Sequence, residues 1–290
     1  METTANLNIS GTGTSSGQPL VVIEPSRGVL KLDWAELWHY RELFYFLVWQ
    51  QIMVRYKQTV LGAAWAIIQP FLMMIIFSVV FAVFAGMDTA GVPAPLFFLV
   101  GILPWNFFAQ SLTFSSGSLV NNANLVTKIY FPRLIMPFAP VLACLVDFAI
   151  ASLLLLIMMP YYHFIPSSNI WLFPFMFILI IFIASGAGML FSALTVKYRD
   201  FRHIIPFIVQ LGMYATPVVY PANKIPEKWH LVYGLLNPMA GAISGIRWSL
   251  LGTDVNPFPL LGASAVSAGM LFLLGLYYFR RTERFFADVI

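Results

Sequence analysis

The sequence predicts an all-α integral membrane protein: six transmembrane helices, an N-terminal amphipathic interface helix and a re-entrant helical pair before the last span. Three observations carry this prediction. Of the 290 residues, 60% are hydrophobic and only 10% charged, whereas soluble domains need about 25% charged residues to cover their surface. The apolar stretches approach twenty residues, enough at ~1.5 Å per residue for a ~30 Å hydrocarbon core. They are apolar all round and do not alternate, which favours helices over a barrel. Finally, thirteen of the sixteen Lys and Arg residues fall on the cytosolic side when six spans are threaded with the N-terminus inside. Only Lys224, Lys228 and Arg247 fall outside, and an odd number of spans would strand Arg280, Arg281 and Arg284.

Residues 1–32 are rich in Ser, Thr, Gly and Asn and lack an apolar core. They are expected to form a disordered cytosolic tail, and no cleavable signal peptide is expected. Asp33 followed by Glu36 resembles a capping box. It opens an amphipathic helix over 33–53, in which Trp34, Trp38, Tyr45, Val48 and Ile52 recur at helical spacing between Glu36, Arg41, Glu42 and Gln50. Residues 54–290 form the six-span domain. VRYKQTVLGAAWAIIQP, Val54–Pro70, is expected to pass without a loop from a basic flank into the first span. Gly62, Ala63 and Ala64 lie at the crossing point, and Trp65 is placed at the interface.

The spans are predicted at about 66–86, 96–119, 134–159, 170–194, 204–220 and 258–279. Pro104–Trp105 is expected to kink or anchor the outer end of the second. The polar loop after it holds a one-to-two-turn helix, Ala123–Tyr130, stopped before Pro132. Ala184–Gly188 supplies small residues for close helix approach in the fourth span. Residues 227–251 are too apolar for a soluble loop and too broken for a span. Two half-length helices divided at Asn237–Pro238 are expected to enter the bilayer and return.

Little in this chain speaks for catalysis. It contains no phosphate-binding G-x-x-x-x-G-K-[ST] loop, no H-E-x-x-H and no G-x-S-x-G. His39, His163, His203 and His230 are scattered over both faces, so no metal site is expected, and Cys144 is a lone thiol in an apolar run. Asp147 is the one acid placed at membrane depth. It serves either as a proton-coupling group or as a structural carboxyl bonded to a neighbouring Ser, Thr or Tyr. Phe77, Phe81 and Phe84 recur at i, i+4 and i+7, with Phe71 below them, and Phe207, Tyr214 and Tyr220 follow on the fifth span. Such rings either pack against lipid and neighbours or form a conduit wall that stacks on the C–H faces of sugars.

Four stretches lie in order over roughly residues 33–280: VRYKQTVLGAAWAIIQP, NLVTKIYFPRLIMP, LTVKYRDFRHIIPF and LLNPMAGAISGIRWSLL. On these the chain resembles the permease subunits of ABC transporters that export polysaccharides, the family of O-antigen, capsule and teichoic-acid exporters. The resemblance implies a homodimer in the bacterial inner membrane with both termini cytosolic, joined to two copies of a nucleotide-binding ATPase. ATP and Mg are then cofactors of that partner, with none in this chain, and nucleic acid is not a partner. The implied substrate is polysaccharide on an undecaprenyl-pyrophosphate carrier, with O-antigen favoured. Arg41, Arg55 and Lys57 are expected to cluster at the cytosolic entry and attract the pyrophosphate. The ATPase contacts fall to Asn124, Lys128, Tyr130 and Arg133 in a coupling helix, and to Lys197, Arg199, Asp200 and Arg202 in a second loop. The re-entrant pair becomes the outer gate. The alternatives are a proton-coupled secondary transporter or lipid flippase using Asp147, an ABC-type exporter of small molecules, and a membrane glycosyl- or phosphotransferase.

Overall fold

The computed structural model describes residues 38–57, 62–253 and 256–286. The tail at 1–32 and the Asp33–Glu36 cap lie outside them. Every regular element among the described residues is helical: α1 (Arg41–Tyr56), α2 (Ala64–Phe77, prolonged by a π-helical segment Ser78–Phe84), α3 (Ala94–Asn121), α4 (Ala123–Lys128), α5 (Ile135–Tyr161), α6 (Phe173–Lys197), α7 (Phe201–Ala215), α8 (His230–Leu236), α9 (Pro238–Leu251) and α10 (Phe258–Thr282). Five of these, α2, α3, α5, α6 with the 3₁₀ turn before it, and α10, are long and apolar enough to cross a membrane.

Two boundaries differ from expectation. The chain does not pass unbroken from Val54 into the first span. Helix α1 runs to Tyr56, and α2 starts only at Ala64. Between them Gly62 has φ +46, a left-handed conformation that glycine adopts without a Cβ clash. The predicted span at 204–220 is instead a 15-residue helix, α7, ending at Ala215. At ~1.5 Å per residue it covers only about 22 Å. Thr216–Tyr220 leaves the helix because Pro217 cannot continue its hydrogen-bond ladder.

Prolines set the starts of several helices. Pro95, Pro174, Pro238 and Pro259 stand in the first turns of α3, α6, α9 and α10, where a missing N–H leaves nothing unsatisfied. Helix α9 ends on Gly252, left-handed at φ 64, whose N–H donates to the Trp248 carbonyl at 3.1 Å.

Helix α3 is the centre of the protein. Leu96–Trp105 is buried without interruption, and α3 packs on α5 and α6 while α10 runs along the other side of α6. Trp105 is therefore a core residue in mid-helix and not an anchor at the outer end. Helix α9 is tucked between α3, α6 and α10, with Met239–Arg247 entirely buried.

The approach of α6 to α10 depends on two glycines. A Cβ on Gly275 would collide with the Gly186 carbonyl, and one on Gly186 would lie 2.7 Å from the Phe272 Cα. Close backbone approach at small residues is how helices associate where lipid offers no hydrophobic drive. Gly275→Leu is expected to lower the level of membrane-inserted protein several-fold. Gly262→Leu, at a position where a Cβ meets open space, should leave it unchanged. Immunoblots of the membrane fraction distinguish the two.

Candidate functional site

Three helix faces converge on one cleft. Trp65, Ala66, Gln69 and Pro70 come from α2; Leu103, Asn106, Phe107 and Gln110 from α3; Cys144, Asp147, Phe148 and Ala151 from α5. The last two sets follow i, i+3, i+4, i+7, the spacing that puts side chains on one face of a helix. Arg55 and Tyr56, the last residues of α1, and Gly62 complete the lining, and the cleft measures about 560 Å³.

Asp147 is held on both oxygens. Its Oδ2 pairs with an Arg55 Nη1, and its Oδ1 accepts the Tyr56 hydroxyl. Arg55 also stacks over the Phe114 ring, 4.1 Å from its centroid, and lies 3.5 Å from the Cys144 Sγ through Nη2. With 16% and 13% of their side chains exposed, Arg55 and Asp147 can hold full charges only because they neutralise each other. The Tyr56 phenol is pushed above its ordinary pKa, first by burial and then by its bond to the Asp147 carboxylate. It stays a neutral donor.

This network agrees with the structural alternative for Asp147, a carboxyl bonded to a neighbouring Tyr, and adds an ion pair to it. It is not an isolated acid, since a cation lies at its own depth. The expected cluster of Arg41, Arg55 and Lys57 also separates. Arg41 is exposed at the far end of α1, about 21 Å from Arg55 along the helix axis at ~1.5 Å per residue. Lys57 is exposed beside the network, while Arg55 is committed to Asp147.

The aromatic stripe of α2 is likewise split. Phe77 is buried and packs edge-on against Phe81 and Phe98, Phe71 is partly exposed, and Phe84 is 80% exposed. The π-helical winding of Ser78–Phe84 explains the divergence. Seven residues make nearly two α turns but fall well short of two π turns, so i and i+7 no longer share a face. On α7, Phe207 and Tyr214 are exposed, together with Ile204, Ile208 and Leu211. Tyr220 bonds the Tyr233 hydroxyl at 2.8 Å.

The short helix α4 presents Asn124 and Lys128 to the surface, and Tyr130 follows, exposed, on the extended segment after it. Arg133 is turned inward and donates to the Glu283 carbonyl, tying this loop to the end of α10. Lys197, Arg199, Asp200 and Arg202 are exposed between α6 and the first turn of α7.

For one charged residue the sequence indicates only the side of the membrane. Arg247 is buried in α9, 3.8 Å above the Phe97 ring, and donates to the carbonyls of Pro217 at 2.6 Å, Tyr220 at 3.0 Å and Val218. A basic residue inside an otherwise apolar half-length helix was the available signal, since such a charge must find acceptors.

An apolar helical bundle with a partly polar cleft between its spans and with exposed basic loops suits a membrane transport subunit. The chain belongs to the ABC-2 type transporter family, whose model matches residues 42–251. It is 28% identical over 252 residues to the O-antigen export system permease protein RfbA of Myxococcus xanthus, covering 86% of this chain and 96% of that protein. It is 28% identical over 244 residues to the protein of the same name from Klebsiella pneumoniae, covering 83% and 92%. The polysialic acid transport protein KpsM of Escherichia coli is 22% identical over 239 residues, covering 81% and 91%. As an ABC-2 permease the chain is a multi-pass inner-membrane protein that works with an ATPase partner.

Proposed function

We propose that this chain is the permease of an ATP-driven exporter that moves undecaprenyl-pyrophosphate-linked polysaccharide of the O-antigen type from the cytosol across the inner membrane. The observation that carries this reading is the likeness to two O-antigen export permeases over nearly their whole length. Two copies of the chain and two ATPases form the exporter, and the ATPases hold ATP and Mg.

Six crossings are proposed, with α7 and the Thr216–Tyr220 segment together making the fifth and α8–α9 re-entering from outside as a gate. Both termini are then cytosolic, in keeping with thirteen of sixteen basic residues on that side. Helix α4 and the Lys197–Arg202 loop are the surfaces proposed to meet the ATPase. Lys57, whose charge is exposed, is the carrier-pyrophosphate contact, and Arg41 and Arg55 are left with the lipid surface and Asp147 respectively. The exposed rings Phe207 and Tyr214 line the path between the two copies. Proton coupling through Asp147 is disfavoured, because both its oxygens are engaged.

Affinity purification of the tagged chain should bring down the ATPase in equal amount, and deletion of the gene should leave lipid-linked polysaccharide inside the cell. Transport of glycolipid by the purified chain alone in vesicles would refute the reading.

A further inference from the structure

We propose that the cleft between α2, α3 and α5 is a binding site in each subunit for an uncharged, hydroxyl-rich glycosyl group. Three amide side chains meet there, Gln69 from α2 and the i, i+4 pair Asn106 and Gln110 from α3. Among the described residues, none of the three makes a hydrogen bond to a neighbour. Amides at membrane depth without partners are unfavourable, and helices that carry them normally satisfy them against a neighbour. Here they border an open space of about 560 Å³, within the ~300–1,000 Å³ range of small-molecule sites.

The chemistry of the lining selects the ligand. Each amide both donates and accepts, so a hydroxyl-bearing ligand can use both groups, whereas an anion would engage only the N–H groups and leave the amide oxygens unpaired. The one cation in the cleft, Arg55, is paired with Asp147, so the site carries no net charge to draw a pyrophosphate. Trp65, 53% exposed, offers a large ring face, and such amphipathic rings suit a ligand with both apolar and polar surfaces. The site therefore fits a sugar and neglects a phosphate. It rests on the export reading only in that the sugar arrives attached to a lipid.

The test uses the full-length permease purified with its ATPase in lipid nanodiscs, with monoglucosyl diacylglycerol as the probe and native mass spectrometry as the readout. Saturable binding of one probe per permease chain is expected, undiminished by phosphatidylglycerol in equal amount. Asn106→Leu with Gln110→Leu should weaken binding at least tenfold. Trp65→Ala, at an exposed position that packing does not depend on, should do so as well and guards against a folding artefact. Unsaturable binding, displacement by phosphatidylglycerol, or unchanged affinity in the Trp65 variant and the amide variant would overturn the proposal. Binding is measured without transport, so a complex that binds the probe but exports nothing refutes the export reading and leaves the site standing. A complex that exports but does not bind the probe does the reverse.

Discussion

Asp147→Ala is expected to be the most damaging single substitution in the bundle. It leaves Arg55 largely buried with its charge uncompensated and the Tyr56 hydroxyl without its acceptor. Breaking one partner of a buried ion pair costs about 3–5 kcal/mol, whereas replacing both by neutral groups is often tolerated. Asp147→Asn with Arg55→Gln should therefore restore much of the protein level and thermal stability that either single change removes. The cycle of two singles and the double, followed by thermal unfolding of the purified complex, measures the coupling. If the double variant is as unstable as the worse single one, the two residues do not act as a pair. Export with the double variant has a further use: activity retained without any carboxylate at 147 excludes proton coupling through it.

Arg247→Met should have an effect of similar size at the opposite end of the molecule. The guanidinium serves the carbonyls of Pro217, Val218 and Tyr220 and lies over Phe97. Each carbonyl left buried without a donor costs about 1–3 kcal/mol, so the total for three reaches roughly 3 kcal/mol or more. The loss should be local first, because these carbonyls belong to the non-helical run after α7 and not to a helix with its own bonds. Limited proteolysis is expected to cut between residues 216 and 226 in the variant and not in the parent. Cleavage that is equally slow in both would show that the arginine does not hold this segment. Arg247→Lys should rescue only in part, since one ammonium cannot reproduce the guanidinium's planar fork toward several acceptors.

The features that could be read from the sequence are those that depend on neighbours along the chain. Apolar runs and punctuating prolines place α2, α3, α5, α6 and α10 within a few residues of the expected bounds, and Asn237–Pro238 marks the division of α8 from α9. The two-turn helix α4 stands where a short polar loop before Pro132 placed it. What escaped depends on contacts between distant residues or on helix winding. The sequence offers a Tyr as a partner for Asp147 but not Arg55, which is 92 positions away and is expected at the cytosolic entry with Lys57. The Phe77–Phe84 stripe assumed α geometry throughout, and the π-helical segment removes it. The three amides of the cleft form no motif, because Gln69 lies on α2 and the Asn106–Gln110 pair on α3. Only the packing of α2 against α3 brings them together.

The glycine contact between α6 and α10 has a mechanical consequence. With backbones touching at Gly186 and Gly275, no side chain separates the two helices at that level and the Phe182–Phe272 stack pins them nearby, so together with α3 and the wedged α9 they form a stiff keel. Helices α2 and α7 are fastened to it sparsely: α7 buries only Ile205 and Met213, and the helical part of α2 only Pro70, Met74 and Phe77. Segments with few buried contacts open at the lowest free energy. Under the export reading proposed above, a stroke delivered by the ATPase would be taken up by these two outriggers while the keel holds its shape.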